Sequence, residues 1–160
     1  MERTFILLKP DAVLRGLIGV ILAEFEQKGL KLISIKMMRL SDTQLYLMYP
    51  DLLSKPFHDQ VKFFMQIAPC VCVVLEGYKA LTQAVRIAGP ALKSEDNDPF
   101  TIRGRFALWT GADVIHRATT LDEAAAQIGA IFSVDELCDY ERLDGFLMSE
   151  DAWSRRGFPV

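Results

Sequence analysis

The chain has 160 residues, of which 51% are hydrophobic and 24% are charged. That length and composition are typical of one globular domain with its own core, and they argue against a disordered or fibrous chain. The formal net charge is 18 minus 21, or −3, and the charges are spread along the chain. This balance argues against a dedicated nucleic-acid binder.

The apolar runs of the sequence are short. The longest, at 17–23 and 67–75, fall well below the ~20 residues that a membrane span needs, and the run at 5–8 is too short for a signal peptide. Cys70 and Cys72 lie two apart in an apolar run, so they would share one strand face and not bridge each other. We therefore expect no membrane span, buried free thiols and a cytoplasmic location.

Apolar periodicity and turn signals predict an alternation of strands and helices. Gly29 is the expected end of the first helix, and Ser41 with Gln44 has the capping-box pattern of a helix start. In chain order we expect a strand at 4–8, a helix from 17 up to Gly29, a strand at 32–40, helices at 41–49 and 57–66, a strand at 70–75, a helix at 79–88, an irregular loop at 90–105, a strand at 114–115 and helices opened by capping boxes at 120 and 133.

This order of elements indicates an α/β or α+β sandwich, in which helices pack on a sheet of about four strands. No linker, internal repeat or low-complexity tract divides the chain. The loop at 90–105 has no clear period, and a long loop inside a compact domain is often functional. The tail at 145–160 is polar, and we expect it to be irregular and to take no part in the core.

The sequence has only two histidines, His58 and His116. Imidazole can act as a base or nucleophile near neutral pH, so each is a candidate for catalysis. His116 is the stronger candidate, because it follows a short apolar strand and lies beside Asp113, Arg117 and threonines. The alternative for each histidine is a surface or hydrogen-bonded residue without a catalytic role.

Common nucleotide-binding and hydrolase motifs are absent. The sequence has no glycine-rich phosphate loop, no dinucleotide fingerprint, no zinc-type spacing of cysteine and histidine, and no serine-hydrolase elbow. Any phosphate site must therefore use single basic side chains. Lys9 at a strand end, Arg86 near a helix end and Arg103 in the long loop are candidates, and a solvated surface charge is the alternative for each.

Several short motifs resemble the nucleoside diphosphate kinase family. The first are Phe-Ile-Leu-Leu-Lys-Pro-Asp-Ala-Val at 5–13 and Arg-Gly-Leu-Ile-Gly at 15–19. They continue with Leu-Glu-Gly at 75–77, Thr-Ile-Arg-Gly at 101–104, Val-Ile-His at 114–116 and Glu-Leu-Cys-Asp-Tyr at 136–140. These segments keep the family's order and spacing from residue 2 to about 144. The resemblance therefore implies one family domain over residues 1–144, followed by the tail at 145–160.

The resemblance implies a role for each matching position. His116 matches the histidine that takes the γ-phosphoryl group and passes it to a second nucleotide. Phe57 matches the aromatic residue on which the base stacks, and Val61 lines the same slot. Contacts around the phosphates are implied for Lys9, Tyr49, Arg86 and Arg103. Arg86 is aligned by its 17-residue separation from Arg103, because the preceding helix is one residue longer than usual.

The family resemblance also implies a fold and an assembly. The fold is a ferredoxin-like βαββαβ sandwich with a four-stranded antiparallel sheet covered by helices. The ligands are nucleoside di- and triphosphates, and the assembly is a homo-oligomer, a hexamer or tetramer built from dimers. Mg²⁺ would be held mainly by nucleotide phosphates and water, so no protein metal site is expected. A lysine and arginine forks suit the charge neutralisation that phosphoryl transfer requires.

The sequence departs from the family pattern mainly around His116. The family's asparagine close to the sugar and phosphates is Asp113, its supporting serine is Ala118, and its imidazole-orienting glutamate is Gln127. Other unusual positions are Leu92, where a phosphate-contacting threonine is usual, Phe100, Arg105 and Arg117. A carboxylate at Asp113 would repel a polyanionic ligand, and a hypothesis from sequence proximity is that Arg117 or Arg105 pairs with it.

We interpret the chain as a cytoplasmic nucleoside diphosphate kinase that works by a ping-pong route through phospho-His116. One alternative is a family member that binds nucleotide with little or no turnover. A second is an RNA-binding module on a similar sandwich. The sequence has neither the paired aromatic residues of an RNA-recognition strand nor a net basic charge, and both absences disfavour the RNA-binding interpretation.

Overall fold

A computed structural model of the chain describes residues 1–91, 96–147 and 149–157. Its strands are β1 (Glu2–Leu8), β2 (Lys31–Met38), β3 (Cys70–Gly77) and β4 (Ile115–Arg117). Its helices are α1 (Pro10–Leu14), α2 (Ile18–Gln27), α3 (Asp42–Met48), α4 (His58–Gln66), α5 (Ala80–Ala88), α6 (Ile102–Phe106), α7 (Leu121–Ile131) and α8 (Glu150–Ser154). Short 3-10 helices lie at Leu52–Ser54, Val134–Glu136 and Gly145–Leu147. None of the described helices has both the length and the apolar content to cross a bilayer.

The four strands form one sheet in the order β2-β3-β1-β4, and every neighbouring pair is antiparallel. With helices between the strands, this is the ferredoxin-like βαββαβ arrangement that the resemblance implies, and that prediction is confirmed. β1 is central, so Leu7 faces Cys72 of β3 on one side and His116 of β4 on the other. The register therefore places His116 on the edge strand β4, directly opposite Leu7 of the central strand β1.

Helices cover both faces of the sheet. Side chains of one face, including Phe5, Leu7 and Cys72, pack with Leu45 of α3, Met65 of α4 and Ile131 of α7. Side chains of the other face, including Ile6, Leu8 and Val73, pack with Ile21 and Phe25 of α2 and Ala84 of α5. Because both faces are buried, β1 and β3 are apolar at nearly every position and do not alternate with polar residues.

Side-chain caps lie at the starts of four of the eight described α-helices, α3, α6, α7 and α8. Ser41 Oγ accepts from the Gln44 backbone N–H, while the Gln44 side chain accepts from the Ser41 N–H, so the predicted capping box at α3 is confirmed. Thr120 Oγ1 caps α7 by accepting from the Glu123 N–H, but the predicted capping box does not form, because the Glu123 carboxylate accepts from Thr119 and not from the Thr120 N–H. Gly29 follows α2 with φ of 87°, a conformation that glycine adopts without strain.

Four predicted elements differ from the structure. The strand expected at 114–115 is β4 (Ile115–Arg117), which includes His116 and excludes the left-handed Val114. The capping pattern at Ser133 opens only the 3-10 turn Val134–Glu136, not a longer helix. The loop predicted at 90–105 is irregular only in part, because Thr101 caps α6 by accepting from the Gly104 N–H. The tail is not wholly irregular, since it contains α8, although no residue of α8 is buried.

The cysteines of β3 behave as predicted. Cys70 and Cys72 are free, buried and on the same face of the sheet. Burial raises the pKa of each thiol to about 12, so neither is a reactive thiolate at neutral pH.

Candidate active site

A cavity of about 780 Å³ lies between α4 and the ends of β1 and β4. Six of the seven side chains predicted for the site line it together: Lys9, Tyr49, Phe57, Arg103, Asp113 and His116. They come from positions up to 107 residues apart, and the central pairing of β1 with β4 brings the first and the last of them together.

Arg86 is the predicted site residue that does not line the cavity. It is exposed near the end of α5. Its phosphate contact therefore stays a prediction from the family resemblance. Leu92, at the family's threonine position, lies outside the described residues.

His116 is held on three sides. Its ring meets Tyr49 edge-on at a centroid distance of 5.1 Å and Phe5 at 6.5 Å. Nε2 lies 3.3 Å from Gln127 Oε1 on α7. Tight aromatic packing and one hydrogen bond therefore fix the orientation of the imidazole.

Burial also sets the protonation state of His116. Desolvation lowers its pKa to about 4, and the charges of Lys9 and Arg103 act in the same direction. The hydrogen bond that the ring donates to Gln127 and the charge of Glu123 oppose this shift only in part. The imidazole is therefore neutral at pH 7 and keeps a lone pair for nucleophilic attack. Burial raises the pKa of Tyr49, whose hydroxyl is buried without a hydrogen-bond partner among the described residues and remains a neutral donor.

A buried group of three charges forms the floor of the cavity. Asp113, only 4% exposed, pairs through Oδ1 with Lys9 Nζ and through Oδ2 with Arg103 Nε at 2.8 Å. Arg103 also donates to the backbone oxygens of Gly89 at 2.6 Å and Ile115 at 2.7 Å. Arg103 thus ties the end of α5 to β4, and Asp113 cancels one of the two positive charges.

The hypothesis that Arg117 or Arg105 pairs with Asp113 is wrong. Lys9 and Arg103 reach the carboxylate first, because both are buried beside it, whereas Arg105 lies on α6 and pairs with Glu24. Arg117 lines the cavity, and its buried Nε has no hydrogen-bond partner among the described residues. Burial and the nearby Arg103 lower the pKa of Arg117.

Sequence reasoning gave no role to Asp11, which the structure places behind the site. Its Oδ2 accepts from the backbone N–H of Val114 at 3.2 Å. Val114 has φ of 61°, a left-handed conformation that is unusual for a β-branched residue. Asp11 therefore supports the bend that leads into β4 and His116. The Lys-Pro-Asp motif is the signal in the sequence that could have identified Asp11 as a site residue.

The mouth of the cavity has an apolar wall. Phe57 is 48% exposed there, and Val61 lines the same region one turn along α4. Two aromatic residues that sequence reasoning missed, Phe64 and Trp109, extend this wall and meet edge-on at 6.1 Å. Trp109 lies over Gly111, where a Cβ would come within 1.9 Å of the indole ring. A flat, apolar group would fit against this surface.

His58 is not part of the cavity lining. Its Nε2 is hydrogen bonded to the Tyr46 hydroxyl at 2.9 Å and its Nδ1 to Asp59 at 2.8 Å. Both ring nitrogens are engaged, so the structure assigns His58 to the packing of α3 against α4.

The fold and the cavity define a class of protein. A ferredoxin-like sandwich sets a buried neutral histidine beside basic side chains and an apolar wall, which is the arrangement expected of a nucleotide-binding phosphotransferase.

Comparison with known proteins gives the family. The family model described as nucleoside diphosphate kinase matches residues 2–137. Nucleoside diphosphate kinases of Natronomonas pharaonis and Methanoculleus marisnigri are 43% and 40% identical over 144 residues each; the matches cover 89% and 90% of this chain and 94% and 96% of theirs. A solved nucleoside diphosphate kinase from Halobacterium salinarum, in complex with CDP, matches with a TM-score of 0.87 and 36% identity over 93% of this chain and 99% of that one. The chain therefore belongs to the nucleoside diphosphate kinase family and is an enzyme of the nucleotide-binding transferase class.

The lowered pKa of His116 predicts an acid-sensitive contribution to stability. The pKa is about 4 when folded and 6.5 in its ordinary state, so between these values the unfolded chain binds more protons. The free energy of unfolding should therefore fall as pH drops from 6.5 to 4, by roughly 3 kcal/mol in total. The variant His116→Gln should lack this component, whereas His58→Gln should keep it. Denaturant unfolding of both at pH 7 and pH 4 checks this, and equal pH dependence would contradict it.

Proposed function

We propose that the protein transfers the γ-phosphate of ATP to nucleoside diphosphates by a ping-pong mechanism through His116. The neutral imidazole attacks the γ-phosphorus, the bond to the bridging oxygen breaks, and ADP leaves. A second diphosphate then attacks the phosphohistidine, and His116 is released. The observation that carries this proposal is a buried histidine, neutral at pH 7, in the same cavity as Lys9 and Arg103.

We propose that the basic floor of the cavity binds the phosphates. Arg103 has five N–H donors, and its hydrogen bonds to Asp113, Gly89 and Ile115 use three, so two remain for phosphate oxygens. The Tyr49 hydroxyl, which has no hydrogen-bond partner within the described part of the chain, is a further donor. Lys9 supplies a point charge, and Arg86 is proposed as the second guanidinium in the nucleotide complex.

The apolar wall is the proposed base site. Phe57 offers an exposed ring face at the mouth, with Val61 beside it. Stacking uses the face of a base and reads no donor or acceptor on its edge. We therefore expect weak selectivity among bases.

Mg²⁺ is proposed to enter as part of the Mg–nucleotide substrate. Among the described residues, no group of three or more histidine, cysteine, aspartate or glutamate side chains could hold a metal ion. Asp113, the carboxylate in the cavity floor, is already engaged by Lys9 and Arg103. This donor set suits a metal held by phosphate oxygens and water, whose charge would offset that of the phosphates.

The direct test is transfer of label from radiolabelled ATP. The wild-type protein should acquire label that is acid-labile, stable to base and discharged by GDP. The variant His116→Ala should acquire none, yet bind nucleotide nearly as well, because the basic floor remains. His58→Ala is the matched control and should behave like the wild type. Nucleotide binding without labelling in the wild type would overturn the proposal in favour of a binding protein.

The variant Asp113→Asn is expected to bind ATP more tightly, by roughly tenfold. It preserves side-chain shape while the charge of the floor rises from +1 to +2, and the affinity should also become more dependent on salt. Its thermal stability should fall, because two buried ion pairs are lost. Calorimetric titration of ATP at two salt concentrations measures the affinity and its salt dependence, with the variant Asp135→Asn, at an exposed position, as control. Weaker binding would mean that Asp113 serves mainly to hold Lys9 and Arg103 in place.

We also propose a homo-oligomer built from dimers that meet at β2. This strand lies at one edge of the sheet, and its Ile35 and Met37 side chains are 47% and 56% exposed. The variant Ile35→Glu should dissociate the assembly to an 18.0 kDa species in sedimentation, whereas Leu143→Glu, on an exposed loop, should not. A wild-type protein that sediments as a monomer at micromolar concentration would contradict the proposal.

A cytoplasmic location is proposed as well. It is supported by the free, buried thiols of Cys70 and Cys72, which suit a reducing compartment.

A further inference from the structure

Helix α7 carries a chain of hydrogen bonds that ends on His116. Gln127 is 1% exposed, and its Oε1 lies 3.3 Å from His116 Nε2. The Gln127 side-chain amide donates to Glu123 Oε1, one helical turn earlier, at 2.9 Å. The other carboxylate oxygen, Oε2, accepts from the backbone N–H and the hydroxyl of Thr119 at 2.7 and 2.6 Å. Glu123 is thus fixed by Thr119 on one side and by Gln127 on the other.

The chemistry of these groups gives the chain a direction. Burial alone would raise the pKa of Glu123, but the hydrogen bonds from Thr119 and Gln127 outweigh it and lower the pKa. The ionised carboxylate can only accept, so the NH₂ of Gln127 must face Glu123. The Gln127 carbonyl oxygen then faces His116 and can only accept. Nε2 of His116 must therefore carry the proton, which leaves the lone pair on Nδ1.

We propose that Glu123 is a positioning residue for His116, acting through Gln127 to hold the imidazole as the tautomer protonated on Nε2. A glutamine by itself cannot select a tautomer, since its amide can turn either its oxygen or its nitrogen toward the ring. The acceptor-only carboxylate at Glu123 removes that freedom. In this chain the carboxylate that orients the histidine therefore lies one turn away from the position where the family pattern has its glutamate.

The assignment of Glu123 rests on the proposed function only for its kinetic consequence. The tautomer itself is a property of the nucleotide-free protein. In that state Nδ1 of His116 forms no hydrogen bond with any described residue. A fixed Nδ1 lone pair would be the nucleophile for the γ-phosphorus, so loss of tautomer control should lower kcat with little change in KM.

The first experiment measures the tautomer by two-bond ¹H–¹⁵N NMR of histidine-labelled, nucleotide-free protein at pH 7. The spectrum of a His58→Gln variant identifies the His116 signals. Wild type should show protonated Nε2 and unprotonated Nδ1. In Glu123→Gln the residue at 123 can donate or accept, so His116 should show averaged shifts of a tautomer mixture. Asp122→Asn loses the same charge from the adjacent, exposed position and should keep the wild-type pattern.

The second experiment tests rescue. The double variant Glu123→Gln with Gln127→Glu places the carboxylate directly against Nε2, so the single tautomer should return. In label transfer and steady-state assays, Glu123→Gln should lose roughly tenfold in kcat, as expected for one hydrogen bond to a charged group. The double variant should recover most of that loss. Thr119→Val, which removes one donor to Glu123, should lie between wild type and Glu123→Gln in both measurements.

The outcomes separate this assignment from the proposed function. If Glu123→Gln and Thr119→Val both keep the wild-type tautomer, the assignment is overturned even when His116 is labelled by ATP. If the tautomer changes and is rescued as expected but no variant or wild type transfers phosphate, the assignment stands and the proposed function fails. Should Glu123→Gln not fold, Thr119→Val and the double variant still decide the question by the same spectra.

Discussion

The site depends on one buried interaction, the double ion pair of Asp113 with Lys9 and Arg103. These three residues come from the end of β1, the loop before β4, and α6, so the contact joins segments that are distant in sequence. A buried charge left without its partner costs ~3–5 kcal/mol, so the three groups constrain one another strongly. The arrangement holds the cavity floor in place before any ligand arrives.

The same cluster shapes the approach to His116. The backbone of Lys9 is also fixed, because its N–H donates to the Val114 oxygen at 2.9 Å. The Asp11 carboxylate accepts from the Val114 N–H. Both the N–H and the carbonyl oxygen of Val114 are therefore hydrogen bonded, which holds the residue in its left-handed conformation. Arg103 then fixes the next residue through the Ile115 oxygen. The histidine follows immediately, so the charged floor and the nucleophile are positioned as one unit.

Two of the departures from the family pattern, Asp113 and Gln127, have nearby groups that offset the change in charge. Ala118 is fully buried in the core beside α7, where a hydroxyl would need a partner. The uncharged Gln127 is joined to a carboxylate one turn away, and the extra negative charge of Asp113 is absorbed by two neighbouring cations. Arg117 adds a positive charge to the cavity lining. The net result is a site in which the charge is rearranged, and the neutral buried histidine is retained.

Local patterns in the sequence were enough to predict the alternation of elements, the capping box at Ser41, the N-cap at Thr120 and the apolar strands β1 and β3. Through short motifs they also predicted the family and six residues that share the cavity. Those signals are local, because propensity, capping and motif spacing act within a few residues. The folded structure was needed to show that Asp113 pairs with Lys9 and Arg103 and not with Arg117. It was also needed to show that Glu123 reaches His116 through Gln127. Partner choice among charges depends on which side chains are buried together, and proximity in sequence carries no information about burial across a sheet. The left-handed Val114 likewise needs a distant carboxylate, Asp11, to hold it, so its conformation could not be read from the residues next to it.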